Sequence, residues 1–348
     1  MAPLEHGQVA AVVDHGGSLG RARTLFPGAP EPWIDLSTGI NPHSYPLFDL
    51  PQAAFTRLPE PARLAELTAV AARVYGAPSA GNVVAAPGTQ ILLPPVAKLV
   101  RPGRAAVLSP TYAEHARTAA IAGHEVAEVE RFEDLASADL AIVVNPNNPD
   151  GRICSRGALL DLAAVLARKG GLLVVDEAFM DVGPLAESLA NDVERGGIVV
   201  LKSFGKFFGL AGVRLGFAIA AEPIASRLAV QLGPWAVAGP ATEYGLAALA
   251  DTTWQEAMRA RLDGEARALD RLLSRHGITV AGGTALFLYV EHARARSIFE
   301  QLGQVGILVR NFERLPKSLR FGLPANEAET ARLDETLTRW AETRKEAP

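Results

Sequence analysis

Three runs of residues able to do chemistry occur in order along this chain of 348 residues. The last is Ser203-Phe-Gly-Lys206-Phe-Phe-Gly209-Leu-Ala-Gly212-Val-Arg214-Leu-Gly216. Upstream lie Asn145-Pro-Asn-Asn148-Pro-Asp-Gly151 and Asp176-Glu177-Ala178-Phe179. A lysine amine adds to an aldehyde once it is partly deprotonated, which a desolvated or cationic setting promotes. Lys206 stands at a turn before a glycine-rich stretch, where its side chain can face a ligand. Lys202, just after the apolar run Ile198–Leu201, is the second candidate.

Asp176 directly follows the apolar run Leu172–Val175. That puts it at the C-terminal edge of an expected strand, where open α/β sheets bind ligands. A carboxylate there suits a protonated pyridine nitrogen, or it caps a helix. Pro87-Gly88-Thr89-Gln90 follows Val83–Ala86 and is expected to open a helix whose amides and dipole favour a phosphate. Ser203 and Arg214 flank Lys206 and would add a hydroxyl and a charge-assisted hydrogen bond to that grip. Tyr112, in Ser109-Pro-Thr-Tyr112 after Ala105–Leu108, offers a ring that stacks on a flat heteroaromatic, or packs as an ordinary aromatic. Amine, carboxylate, ring and phosphate grip together describe a pocket for pyridoxal phosphate.

The elements that must hold these groups read as a buried, mostly parallel sheet. Ala105–Leu108, Leu140–Val144, Leu172–Val175, Ile198–Leu201 and Leu215–Ala220 are apolar on successive residues, the pattern of strands covered on both faces by helices. Ser155–Lys169 is expected to be a helix, with Ser155 as its N-cap and Gly170-Gly171 as its stop. Thr242–His276 is helix-rich and expected to break near Asp251. After it come expected strands at Leu286–Val290, Ile307–Val309 and Leu319–Leu323, and helices at Ala293–Leu302 and Glu327–Arg344. The length predicts about two domains. A large α/β domain is placed at 45–245, and a small α+β domain at 246–348 with residues 1–44 folded back as linker or lid.

Composition narrows the function. Hydrophobic residues are 49% and charged residues 21% of the chain, ordinary values for a globular enzyme. A net charge of -4 gives no reason to expect nucleic acid or an anionic membrane as partner. Cys154 is the sole cysteine, which excludes a disulfide framework and a thiolate metal cluster; no metal is expected. Met1 to His15 lacks the long apolar core of a secretory signal, and no apolar stretch reaches membrane-spanning length. A cytosolic α/β protein is the expectation.

With these residues in view, the chain resembles the fold-type I pyridoxal-phosphate enzymes of the aspartate aminotransferase superfamily, in the histidinol-phosphate aminotransferase-like branch, from about Asp35 to Arg320. The resemblance implies that Lys206 is the Schiff-base lysine and that Asp176 pairs with the pyridine nitrogen. It implies Asn148 on the cofactor's phenolic oxygen, Tyr112 stacked on the ring, Gly88-Thr89-Gln90 as the phosphate-cradling turn, and Arg214 as a phosphate ligand. It places Arg320, in Leu-Arg320-Phe-Gly, on the substrate α-carboxylate. It also implies a homodimer with active sites built at the interface.

Three positions depart from that pattern. Phe179 stands where a tyrosine usually donates to the phenolic oxygen, Gly205 where a serine usually precedes the lysine, and Leu58 where many relatives carry a tyrosine that reaches across the dimer. His15-Gly16-Gly17, Asp35-Leu-Ser37-Thr-Gly39-Ile-Asn41-Pro42 and Asp176-Glu-Ala-Phe-Met-Asp181 look like the L-threonine-O-3-phosphate decarboxylases of cobalamin biosynthesis. That likeness implies a small phosphorylated amino-acid substrate, with His15 and Arg310 near its phosphate, and Gly39 and Asn148 among its contacts. The rival is a histidinol-phosphate or other amino-acid aminotransferase on the same scaffold. A non-catalytic binding protein or regulator of this fold is the reading from another class; no helix-turn-helix or basic segment supports it.

Overall fold

Strands that are apolar on every residue are stable only with both faces covered, and the runs read above form the interior of such a sheet. The protein was analysed as a computed structural model that describes residues 16–343. Strand β1 (Ile34–Leu36) belongs to a smaller sheet described below. The next seven are β2 (Val83–Ala86), β3 (Arg104–Leu108), β4 (Glu125–Val129), β5 (Leu140–Val144), β6 (Leu172–Asp176), β7 (Ile198–Ser203) and β8 (Gly216–Ala220). They form one sheet in the order β2-β8-β7-β6-β5-β3-β4. Its pairings from β7 through β6, β5 and β3 to β4 are parallel, and β8 runs antiparallel to both β7 and β2. β5 and β6 are buried on every residue. The edge strand β4, Glu-Val-Ala-Glu-Val, is partly exposed throughout, and this polar composition is why the apolar-run reading does not find it.

This sheet lies in the larger of two compact units, which takes Ser44–Asn148 and Arg152–Gln255. The connection from β5 to β6 shows how local chemistry sets an element. The helix Arg156–Ala167 starts where the Ser155 side chain accepts from the Ala158 amide at 3.3 Å, and the chain leaves it through Gly170 at φ 73°. Leu159, Leu162, Ala163 and Leu166 are its buried face. The helix-rich stretch is broken where expected. Gly239–Ala250 and Thr252–Arg275 are separate helices, and Asp251 between them accepts from the Trp254 amide at 2.9 Å.

The second unit takes described residues 16–43, Pro149–Gly151 and 256–343. It holds β1 together with β9 (Val280–Thr284), β10 (Phe287–Glu291), β11 (Ile307–Asn311) and β12 (Ser318–Gly322), in the order β1-β11-β12-β10-β9. β1 pairs parallel to β11, with Ile34 opposite Ile307; the other pairings are antiparallel. Described residues 16–43 are therefore more ordered than their glycines and prolines suggest. Residues Leu19–Leu25 form a helix whose Ala22 packs with Trp33 and Leu308, flanked by Phe26 and Phe299. The closing helix is Glu327–Thr343. No helix among the described residues is long and apolar enough to cross a membrane.

Candidate active site

The larger unit gathers its reactive residues at one sheet edge, and the strand directions dictate this. β3, β5, β6 and β7 are parallel, so Leu108, Val144, Asp176 and Ser203 end side by side. The antiparallel β8 begins at that edge with Gly216 opposite Ser203, and β2 ends there with Ala86 opposite Gly216. The loops that carry Gly88, Tyr112, Asn148, Lys206 and Arg214 all meet that line.

Asp176 is the last residue of β6 and is buried. Its Oδ2 lies 2.8 Å from Nε2 of His115, and its Oδ1 accepts from the Ala178 amide at 3.0 Å. The Asp176 carbonyl accepts from the Asn145 amide at 2.8 Å, which ties the asparagine loop to the end of β6. In that loop Asn145 holds the Cys154 backbone at both amide and carbonyl, while Asn147 holds Thr111 and the Pro110 carbonyl. Those two asparagines shape the loop from which half-buried Asn148 projects.

The two candidate lysines separate clearly. Lys202, on β7, is 2% exposed and sits 2.6 Å from Oε2 of Glu177, itself wholly buried. Glu177 also accepts from the Ser188 hydroxyl at 2.5 Å and from the Leu189 amide at 2.8 Å. Such an ion pair leaves Lys202 a structural lysine. Lys206 is half-buried in the turn Phe204–Phe207, with Nζ 5.7 Å from the centroid of the Phe179 ring. Below that turn, Phe204, Phe207 and Phe208 pack with each other and with Trp254. A Cβ at Gly205 would lie 2.8 Å from Cα of Ala211, so the residue before the lysine has no room for a side chain.

The expected helix after Gly88 is instead a 3-10 turn, Thr89–Leu92, leading into a short helix with two prolines at Leu93–Ala97. Gly88 adopts φ 85°, and a Cβ there would come within 2.5 Å of Arg214 Nη2. A Cβ on Gly216 would lie 2.6 Å from the Thr89 amide nitrogen. Glycines thus let the guanidinium, the Thr89 amide and the end of β7 with Ser203 crowd into one cationic cradle. Arg214 is itself left-handed, at φ 56°, a strained conformation for a side-chain-bearing residue. It also donates to the Ala211 carbonyl at 3.2 Å. Tyr112 follows β3, its hydroxyl donating to Gln90 Oε1 at 3.1 Å and its ring perpendicular to that of His115, with centroids 5.8 Å apart.

The second unit presents an arginine pair. Arg310 on β11 and Arg320 on β12 are directly opposed in register. Arg320 is buried, donates from Nη2 to the Ser37 carbonyl at 2.9 Å and lies 4.8 Å from the Phe287 ring centroid. Burial, helped by the Arg310 charge and opposed by Asp35, pushes the Arg320 guanidinium down to about 9. Asp35 Oδ1 accepts from the Ser37 amide and hydroxyl, and Ser37 Oγ accepts from the Gly17 amide at 2.7 Å. A small cavity here is lined by Gly16, Ser18, Arg21, Ser37, Arg310 and Asn311, among others. Two guanidiniums opposed in register, with Asp35 acting on Arg320, have the chemistry to suit an anion. Gly39 is buried in the same unit, and His15 lies outside the described residues.

His115 is the member that sequence reading missed. Its one signal was its place three residues after Tyr112, at the start of the helix Glu114–Ile121. Ser37 was quoted within a motif but given no role.

A lysine after one strand, a buried carboxylate ending its neighbour, a stacking ring and a glycine-lined arginine cradle suit a flat, phosphorylated aromatic aldehyde. On this sheet order they define the fold-type I architecture. The chain belongs to the aminotransferase class I and II family, whose model matches residues 34–337. It is 46% identical to the threonine-phosphate decarboxylase of Pseudomonas aeruginosa over 94% of this chain and 97% of that one. It is 40% identical to the threonine-phosphate decarboxylase of a Sinorhizobium species, covering 95% and 99% of the two chains. A solved histidinol-phosphate aminotransferase from Sinorhizobium meliloti, in complex with pyridoxal-5'-phosphate, shares the fold. It is 22% identical, with a TM-score of 0.75 over 84% of this chain and 85% of that one.

Proposed function

We propose that this protein is a pyridoxal-phosphate-dependent carboxy-lyase that converts L-threonine O-3-phosphate to carbon dioxide and (R)-1-amino-2-propanol O-2-phosphate in cobalamin biosynthesis. The observation that carries this reading is the 46% identity, across nearly both whole chains, to a threonine-phosphate decarboxylase.

When bound, pyridoxal phosphate supplies an aldehyde carbon and an electron-accepting ring. Lys206 is the amine that would hold the aldehyde, and Asp176, fixed by His115 and the Ala178 amide, would keep the ring nitrogen protonated. Tyr112 would stack on the ring and Asn148 would face its phenolic oxygen. The backbone turn Gly88-Thr89-Gln90, with the Ser203 and Arg214 side chains, would take the phosphate. Phe179 presents a ring face without a hydroxyl beside Lys206, so no phenol donates from that position.

Arg320 is assigned to the substrate α-carboxylate, and Arg310 and His15 to the substrate phosphate, with Gly39 and Asn148 as further contacts. These anion grips hold the two ends of the substrate and so set which bond at Cα is aligned for cleavage. The carboxylate leaves as carbon dioxide, and a proton added at Cα takes its place. The working form is read as a cytoplasmic homodimer. Leu47 (71% exposed), Phe55 (66%) and Leu58 (63%) stand out along one segment of the larger unit, apolar surface that a second copy would cover. A fully active monomer by light scattering would contradict this.

The test incubates protein loaded with pyridoxal phosphate with L-threonine O-3-phosphate and follows carbon dioxide and aminopropanol phosphate by mass spectrometry. Histidinol phosphate plus 2-oxoglutarate runs in parallel. Carbon dioxide without need for a keto acid is the expected result. Glutamate formation without carbon dioxide would move the function to the aminotransferase rival.

A further inference from the structure

Tyr112, Gln90 and Glu114 form a directed hydrogen-bond chain in the larger unit. The Tyr112 hydroxyl lies 3.1 Å from Gln90 Oε1, and Gln90 Nε2 lies 2.9 Å from Glu114 Oε2. Glu114 is buried in the first turn of the helix Glu114–Ile121, where Arg117 Nη1 approaches the same carboxylate oxygen at 3.2 Å. An ionised carboxylate only accepts, so it captures the NH2 end of an amide and turns the amide oxygen away. Glu114 therefore settles an orientation that a lone amide would leave open. The Tyr112 phenol meets an acceptor, not a donor, and that contact fixes the far end of its ring. The ring stands perpendicular to that of His115, with centroids 5.8 Å apart, and His115 is hydrogen-bonded to Asp176.

We infer that Gln90 and Glu114 are positioning residues that set the plane of the Tyr112 ring on which the cofactor stacks. The Gln90 side chain thus acts through Tyr112 and not on the phosphate. This rests on the cofactor reading above. The sequence expectation for this turn concerns its backbone amides and gives the Gln90 side chain no role.

A double-variant cycle read without turnover tests it. Wild type, Gln90→Ala, Tyr112→Phe, Glu114→Gln and the Gln90→Ala/Tyr112→Phe double variant are titrated with pyridoxal phosphate. The readouts are the dissociation constant and the visible circular dichroism of the bound cofactor, which reports how asymmetrically its ring is held. Gln90→Ala and Tyr112→Phe each raise the constant roughly fivefold, as for loss of one hydrogen bond. Each also diminishes the dichroism, and the double variant is no worse than either single one. Glu114→Gln diminishes the dichroism in the same sense; if that variant fails to fold, the cycle of the other two decides. Additive losses in the double variant, or wild-type dichroism in Gln90→Ala, overturn the proposal. No visible dichroism in wild type overturns the cofactor reading itself.

Discussion

Nε2 of His115 and Oδ2 of Asp176 lie 2.8 Å apart, both side chains buried, so the carboxylate that ends β6 is clamped by the helix that follows Tyr112. An ionised carboxylate accepts, so this contact places the proton on Nε2 whichever form the ring takes. The contact joins a helix and a strand end that lie 61 positions apart in sequence, and gives Asp176 one orientation.

Replacing His115 by Ala is expected to lower kcat/KM by roughly 10- to 100-fold, the range for loss of a hydrogen bond to a charged group. His115→Gln, which can still donate, should recover part of it. Steady-state kinetics beside a cofactor titration checks this; unchanged kinetics and cofactor affinity in His115→Ala would remove His115 from the site.

Lys202 and Lys206 should fail differently. Lys202→Met strands the fully buried Glu177 carboxylate and should cost about 3–5 kcal/mol of stability, visible as an earlier melting transition. Lys206→Ala should melt near wild type. After borohydride reduction and proteolysis, mass spectrometry should find pyridoxal phosphate on the Lys206 peptide of wild type and of Lys202→Met, and on no peptide of Lys206→Ala.

Arg320 is expected to make carboxylate binding depend on pH. A guanidinium lowered to about 9 is charged below that pH and loses its charge as pH rises through it. The cost of burying the cation is thus fully present below about 9 and relieved above it. A bound carboxylate favours the charged form, so affinity for L-threonine O-3-phosphate should hold at neutral pH and fall above about 9. Calorimetric titration across that range reads it, and Arg320→Gln should weaken binding and flatten the dependence.

Gly205→Ser restores the residue usual in the family and is nevertheless expected to be harmful. Its Cβ would lie 2.8 Å from Ala211 Cα, an overpacking that costs roughly 1–3 kcal/mol. A lower melting temperature and weaker cofactor retention are the expected readings; tighter retention with unchanged melting would show that the turn yields.

The sequence by itself determined the consecutive apolar runs that became β3, β5, β6, β7 and β8, the Ser155 cap, and the order of the chemical motifs. These are local: burial on both faces writes itself into every residue of a strand, and a cap or glycine stop acts within a few positions. What it could not specify depended on partners far along the chain. β1 and β4 are too short or too polar to announce themselves and exist through pairing with β11 and β3. The helix Leu19–Leu25 holds its place against Trp33 and Leu308. Glu177 holds Lys202 in an ion pair, and His115 meets Asp176 where the parallel strands bring its helix to the end of β6. An ion pair or hydrogen bond between distant residues leaves no periodic trace, so the tertiary structure alone decided these.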